Sequence, residues 1–254
     1  MQLLCRRSDD AYGDPVRGGL EALIKATERE LVDRLSLSPR PVPEEFVLLR
    51  GAIGARSTEL VTRVFAGGPI ARLCVAVMTV EGVVASCTVH ALPRADVAAS
   101  ILGLDYVGIA GALSLVALDL SPTIAGVTDT CQATLVELGR AAARHLTMRP
   151  RPEFVADVFS PHAVLARAGR DEAALACALG VDLLAAYGRW CANAGPRAAA
   201  EASEAASRIE GWRAAMLRNK REAAALQRIF GALAGRYLED FLFAPDPASD
   251  TVFA

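Results

Sequence analysis

The amino-acid sequence predicts an α/β protein of the α+β type, a three-layer α/β/α sandwich with a central antiparallel β-sheet flanked by helices. Six short runs rich in Val, Leu and Ile follow one another between residues 46 and 119, and helical patterns precede and follow them. Consecutive strands without intervening helices favour an antiparallel meander, because parallel strands need long crossovers. No loop is long enough to divide the chain, so residues 1–254 are predicted to form one domain.

The first predicted element is an amphipathic helix over residues 20–35, in which leucine and isoleucine recur at helical spacing. Three prolines between residues 39 and 43 end it, because proline lacks the amide hydrogen that a helix needs. Six strands follow, and Glu81-Gly82 suits the tight turn of a hairpin. Their predicted bounds are 46–50, 59–65, 73–80, 83–89, 101–109 and 112–119.

After residue 122 the pattern changes from strands to helices. Helical composition dominates the C-terminal half, apart from one short strand that follows Ser160-Pro161. The predicted helices are 131–146, 172–193, 198–218 and 222–243, and the predicted strand is 162–168. These helices supply the outer layers of the sandwich.

Composition and charge exclude several functional classes. The chain carries 27 Lys and Arg against 29 Asp and Glu, so no concentrated cationic face for nucleic acid is expected. Its six cysteines form no Cys-x-x-Cys pair, which favours reduced side chains and a cytoplasmic protein. The apolar stretch 101–118 contains Asp105 and several glycines, so no membrane span is predicted, and residues 1–10 lack the apolar run of a signal peptide.

Sequence motifs for metal ions and nucleotide cofactors are absent. Cys87 and His90 form a Cys-x-x-His, but no second pair stands at the spacing of a zinc site. Neither a Gly-x-Gly-x-x-Gly nor a Walker-type phosphate loop occurs. An enzyme with this sequence is therefore expected to carry neither a metal nor a permanently bound nucleotide.

Five short motifs resemble those of the ferredoxin-dependent bilin reductases. Two of them are Leu-Gly-Leu-Asp105-Tyr-Val and the Asp-Leu-Ser-Pro of residues 119–122. The others are the Phe-Ser-Pro of 159–161, the Arg-Asn-Lys-Arg of 218–221 and the Tyr-Leu-Glu-Asp-Phe-Leu-Phe of 237–243. Their order and spacing match the family from about residue 20 to residue 243, and the chain is identified as a member on that ground.

The resemblance implies a fold, a substrate class and partners. Family members are α/β/α sandwiches that bind an open-chain tetrapyrrole between the sheet and the C-terminal helices. Electrons arrive one at a time from a 2Fe–2S ferredoxin, the protein supplies protons, and the substrate passes through radical states. No cofactor is permanently bound, and a haem oxygenase is the expected source of the bilin.

Asp105 is the principal catalytic candidate. It stands in an apolar run, and burial would raise its pKa so that it holds a proton near neutral pH. The alternative is an aspartate satisfied by backbone amides at a strand end or bulge. The resemblance favours the first interpretation, because the matching aspartate of the family is the central proton donor.

The sequence departs from the family at other acid–base positions. Thr88 stands where phycocyanobilin-forming members carry a histidine, and Ala76 where they carry a glutamate. Lys220 stands where many members carry an aspartate, beside a retained Asn219. Asn219 is expected to take part in catalysis with Asp105, and Thr88 and Lys220 are expected to contact the bilin. His90 lies on the same strand face as Thr88 and would donate a hydrogen bond to the bilin or be a core histidine.

Cations and one serine are candidates for holding the substrate's propionates. Arg149 and Arg221 match cationic positions of the family, and a guanidinium suits a carboxylate; the alternative for Arg149 is an exposed loop cation. Ser114 matches a family serine near the propionate end, or is an ordinary strand serine. Further cations near the C-terminus suit an acidic ferredoxin or form a solvated helix face. This late cluster is Arg213, Arg218, Lys220, Arg221 and Arg228.

Together these observations predict a monomeric, cytoplasmic, ferredoxin-dependent reductase of a linear tetrapyrrole, most simply biliverdin IXα. Because several family acids are replaced, a two-electron reduction is expected rather than a four-electron one. The replacements leave open a bilin-binding or bilin-delivery protein that does not reduce its ligand. A reductase of another open-chain tetrapyrrole, such as a chlorophyll catabolite, is the other alternative.

Overall fold

The computed structural model describes residues 15–124 and 130–244. Within these two ranges nine strands form one sheet, in the order β1-β3-β4-β5-β6-β7-β9-β8, and β2 pairs with β3 outside this path. The strands are β1 Ser38–Arg40, β2 Leu48–Ile53, β3 Arg56–Gly67, β4 Ile70–Val80, β5 Val83–Pro93, β6 Ile101–Ile109, β7 Ala112–Ser121, β8 Thr147–Met148 and β9 Val164–Ala168.

Helices cover both faces of the sheet. The α-helices are α1 Pro15–Thr27, α2 Glu44–Val47, α3 Thr130–His145, α4 Ala173–Ala192, α5 Ala199–Leu217, α6 Lys220–Phe230 and α7 Leu233–Arg236. Two wider π-helical segments, Glu28–Asp33 and Tyr237–Leu242, continue α1 and α7, and a 3₁₀ turn spans Glu153–Val155. This arrangement confirms the predicted sandwich with a central antiparallel sheet.

The predicted meander is confirmed, because β2 to β7 pair in sequence and every pairing is antiparallel. Several predicted bounds differ from the structure, and three differences matter for the fold. Residues 44–47 form a helical turn, so the first strand of the meander begins at Leu48, and the strand predicted from residue 162 begins at Val164. The helix predicted over 222–243 is divided at Gly231, whose φ of 70° lies in the left-handed region that ends helices.

Strand alternation divides the core into two layers. On β5, Cys87 and Val89 point to a cluster shared with α1, α3 and α4. The alternate residues of β5, among them Thr88 and His90, point to the opposite face, which packs against α5, α6 and the C-terminal π-helix. The functional candidates on the sheet therefore lie under the C-terminal helices.

Glycines let α1 and α4 approach closely on the first face. A Cβ atom at Gly188 would lie 2.2 Å from the carbonyl oxygen of Glu30, and one at Gly19 would lie 2.5 Å from the Sγ atom of Cys177. Among the described helices, α4 alone has the length and composition to cross a membrane, yet half of its most apolar window is buried inside the protein. Its apolar character is explained by packing in the core.

A close backbone contact places α6 on the second face. A Cβ atom at Gly51 of β2 would lie 2.0 Å from the carbonyl oxygen of Ile229, near the C-terminal end of α6. Because the contact is with backbone, no side-chain movement would relieve it. Gly51 therefore fixes how deeply this end of α6 sits against the sheet.

Replacing Gly188 by alanine should destabilise the protein by roughly 1–3 kcal/mol, because the added methyl group must force α1 away from α4. The matched control is Gly211→Ala in α5, where a Cβ atom would meet nothing within 4 Å. That control should be neutral or stabilise by roughly 0.4–1 kcal/mol. Urea unfolding of the two variants measures both effects, and equal stabilities would contradict the close packing of α1 and α4.

Candidate active site

Asp105 lies in the middle of β6, on the face beneath the C-terminal helices. Its neighbours Leu104 and Tyr106 are buried on the other side, whereas Asp105 itself is only partly buried. The Oγ1 atom of Thr88, directly opposite on β5, donates a hydrogen bond of 2.7 Å to Oδ1 of Asp105. Burial raises the pKa of the Asp105 carboxyl, and the hydrogen bond from Thr88 opposes the rise. The group can thus hold a proton and also reach a ligand.

Strand register places small polar and apolar side chains in one row beside Asp105. Thr62, Ala76, Thr88 and Asp105 are successive Cα partners on β3, β4, β5 and β6. At the far end of this row, the hydroxyls of Thr62 and Tyr237 are 2.8 Å apart. Ala76 and Thr88 have short side chains, so this row of the sheet beneath α6 carries little side-chain bulk beside Asp105.

His90 is a core histidine of the second face. Its ring lies 5.2 Å from that of Trp212 and 5.5 Å from that of Phe243, centroid to centroid. Burial lowers the pKa of His90 to about 4, so its ring is neutral near pH 7. Its Nδ1 atom is buried and has no hydrogen-bond partner in the described protein. Its predicted contact with a bilin stays a prediction.

Glu222 is a candidate site residue that the sequence analysis did not single out. It lies in the first turn of α6 and is partly buried. Burial raises the pKa of Glu222 to about 7, and the charge of Asp105 contributes to the rise. The hydrogen bond from Asn219 acts in the opposite direction. The charge of Asp105 on the sheet thus acts on the carboxyl group of Glu222 on the helix above it. The sequence signal was Asn219-x-x-Glu222, the spacing of a helix capping box.

Asn219 positions the Glu222 side chain. As the N-cap of α6, its Oδ1 accepts a hydrogen bond of 3.3 Å from the Glu222 amide, and its Nδ2 donates one of 2.9 Å to Oε2 of Glu222. The side chain of Asn219 is therefore engaged at both polar atoms within the helix cap. Its predicted part in catalysis stays a prediction.

Arg149 lies across the sheet from Asp105, beyond β7 and β9. Its amide bonds to the carbonyl of Leu165, which pairs with Ala117, and Ala117 pairs with Asp105. Three strand spacings therefore separate the backbone of Arg149 from that of Asp105 by about 14 Å. The guanidinium of Arg149 contacts the carbonyl oxygen of Ser114 at 3.4 Å, so these two predicted anchors are neighbours. The Ser114 hydroxyl donates to the carbonyl of Val107 at 3.1 Å.

The late cationic cluster divides into an exposed part and a buried part. Arg218, Lys220, Arg221 and Arg228 are exposed on or beside α6, whereas Arg213 is buried in α5 and paired with Glu210. The exposed cations lie on the outer side of α6, and Glu222 lies on its inner side. The predicted contacts of Lys220 and Arg221 with a bilin stay predictions.

Asp119 belongs to a buried polar network at the end of β7. Its carboxyl accepts hydrogen bonds from the Ser121 hydroxyl and from the Ser160 amide, the latter at 3.1 and 3.3 Å. The Ser160 hydroxyl donates to Oε1 of Gln132 at 2.7 Å. Burial raises the pKa of Asp119 to about 7, against these hydrogen bonds. The network ties α3 and the Ser160-Pro161 turn to the sheet, which explains two of the five sequence motifs structurally.

Four cysteines of the described part of the chain are buried, and its potential metal ligands do not cluster. Cys74, Cys87, Cys177 and Cys191 are buried free thiols, and burial raises the pKa of the first three to about 12. No group of three or more His, Cys, Asp and Glu in residues 15–124 and 130–244 could hold a metal ion. Cys5 lies outside the described residues. Residues 1–10, for which no signal peptide is predicted, lie outside them as well.

Comparison with known proteins agrees with this geometry. Among solved structures, phytochromobilin synthase from tomato, crystallised in complex with biliverdin, has the same fold with a TM-score of 0.73. Its sequence is 16% identical, and the match covers 88% of this chain and 82% of that chain. A search of curated proteins gives no match. The model of the family described as ferredoxin-dependent bilin reductase matches residues 24–244. The chain therefore belongs to the ferredoxin-dependent bilin reductase family.

Proposed function

We propose that this protein reduces biliverdin IXα by two electrons, delivered one at a time by ferredoxin, with Asp105 as a proton donor. Asp105 carries the proposal, because it is a carboxyl group in mid-strand on the face under α6, partly accessible and with a raised pKa. A neutral acid can donate a proton to a reduced, electron-rich tetrapyrrole, whereas a carboxylate cannot. Family membership supports the general reaction and the electron donor.

The electron donor approaches from outside α6 in this proposal. Arg218, Lys220, Arg221 and Arg228 give the outer side of the helix a positive charge, although the whole chain has a formal charge of −2. Ferredoxins are acidic, so this local potential would steer their association. We place the protein in the cytoplasm as a monomer, where reduced ferredoxin and the product of a haem oxygenase are both available.

The competing function is bilin binding or delivery without reduction. The replacements Thr88, Ala76 and Lys220 favour it, because each stands where the resemblance leads us to expect an acid–base side chain. An anaerobic absorbance time course separates the two functions. Biliverdin is added first, then ferredoxin, ferredoxin reductase and NADPH. Conversion to a new bilin supports the reductase, a stable unreduced complex supports the binding protein, and no spectral change on mixing contradicts both.

Asp105→Asn should lower the rate of bilin reduction by roughly 10²- to 10⁴-fold, because the amide cannot supply a proton. The dissociation constant of biliverdin should change little, since the substitution preserves shape and the contact with Thr88. The matched control is Asp182→Asn on the exposed side of α4, which should behave as the wild type. Wild-type turnover by Asp105→Asn would reject Asp105 as the donor.

Arg149→Gln should weaken biliverdin binding by roughly 10- to 100-fold if its guanidinium holds a propionate, the effect expected for losing a charge-assisted hydrogen bond. The geometry suits this role, because about 14 Å between Arg149 and Asp105 lets one ligand reach both. Arg140→Gln, an exposed arginine of α3, is the control. Absorbance titration measures both constants, and unchanged affinity in Arg149→Gln would contradict the anchor.

Arg228→Glu should raise the KM for ferredoxin several-fold and leave kcat unchanged, because it reverses a charge on the outer side of α6 away from the carboxyl groups. Arg140→Glu on α3 is the matched control and should not change the KM. Steady-state kinetics at low and high salt measure the effect, which should shrink as salt screens the charges. An unchanged KM at low salt would place the docking face elsewhere.

A further inference from the structure

The side chain of Glu222 faces inward from a helix whose other charges face outward. In α6, Lys220, Arg221 and Arg228 are exposed, whereas Leu226 and Ile229 pack on the apolar cluster of the second face. Glu222 precedes Leu226 by one turn, so it continues the inner side of the helix towards the sheet. It is the only acidic residue between residues 211 and 238 of the sequence.

The hydrogen bonds of Glu222 suit a neutral carboxyl group. The Nδ2 atom of Asn219 donates to Oε2, and a carboxylic acid keeps this acceptor while its other oxygen carries the proton. In the described protein, no hydrogen bond of Oε1 competes for that proton. Asn219 is neutral and Lys220 and Arg221 are exposed, so no cation in direct contact favours the carboxylate form.

Two groups face Glu222, one from the sheet and one from the C-terminal π-helix. From the sheet comes Asp105, whose charge opposes the ionisation of Glu222, and from the π-helix comes the neutral Tyr237 hydroxyl, which is bound to Thr62. Two carboxyl groups that share a site cannot both ionise cheaply, so an ionised Asp105 favours the neutral form of Glu222. Burial also raises the pKa of Asp105, so burial favours the neutral form of each group.

We propose that Glu222 is a second proton donor, so that Asp105 and Glu222 each supply one proton to the reduced tetrapyrrole. The inference rests on the proposed two-electron reduction and accounts for its proton balance. Two reduced ferredoxins each give one electron, and the two carboxyl groups each give one proton. The product has two more hydrogen atoms than the substrate and no group leaves. Both carboxylates then regain protons from solvent.

Glu222→Gln tests this assignment, because glutamine keeps the shape and the contact with Asn219 but cannot give a proton. The rate of conversion of biliverdin should fall roughly 10²- to 10⁴-fold, while its dissociation constant changes less than about threefold. Under reducing conditions the variant should accumulate a one-electron-reduced bilin radical, visible by electron paramagnetic resonance. Glu222→Asp should restore part of the rate. Glu239→Gln, at an exposed glutamate of the C-terminal π-helix, is the matched control.

A stability measurement tests the protonation of Glu222 without turnover. The pKa of Glu222 is about 7 in the folded protein against 4.5 for the ordinary group, so the folded state binds this proton more tightly. Raising the pH from about 4.5 to about 7 should therefore destabilise the wild type relative to Glu222→Gln. Urea unfolding at several pH values gives the difference between the two proteins.

The outcomes separate failure of this inference from failure of the proposed function. If the wild type converts biliverdin and Glu222→Gln does so at the same rate, Glu222 is not a donor. If neither protein converts biliverdin, the reductase is rejected, and the inference with it. Parallel stability curves would also overturn the inference, because they would mean that Glu222 is ionised in the folded protein.

Discussion

The chemistry of this fold depends on the desolvation of carboxyl groups between a sheet and a helix. Water stabilises a carboxylate strongly, so taking Asp105 and Glu222 partly out of water favours their neutral forms. The rest of the structure maintains that condition. The first face of the sheet is packed by α1, α3 and α4, which holds β6 in place, and the second face is covered by the C-terminal helices. This layering therefore produces carboxyl groups whose pKa is raised above the ordinary value.

The departures from the family pattern have a consistent physical explanation. Thr88 does not titrate near pH 7, but its hydroxyl orients the Asp105 carboxyl through a 2.7 Å hydrogen bond. Ala76 and Thr88 provide short side chains without a carboxyl group on the sheet, whereas α6 provides the carboxyl group of Glu222. In the proposed mechanism, an acid on α6 takes the place of acids that the resemblance leads us to expect on the sheet. The number of carboxyl groups, rather than their positions in the sequence, sets the protons that the site can deliver.

Alternation and periodicity predicted the order and the antiparallel pairing of the meander strands, because these depend on local pattern. The role of Asp105 came from the resemblance of short motifs to a known family, and it stays a prediction. Local pattern did not predict the inward orientation of Glu222, which depends on how α6 docks on strands more than 100 residues away in sequence. The surroundings of His90 illustrate the same limit. His90 has the right strand parity for the site, yet two aromatic rings contributed by the C-terminal region enclose it. Tertiary packing decided both cases.

The contact between Gly51 and Ile229 also bears on how this site can change during evolution. Backbone atoms set the depth of α6 at that end, so the contact fixes the C-terminal end of the helix through the main chain rather than through the side chains of its first turn. Substitutions in the first turn, which carries Glu222, can therefore change the acidity of the site while the other end of α6 stays in place. The same fold can therefore acquire a different regiochemistry through single substitutions that leave the protein folded.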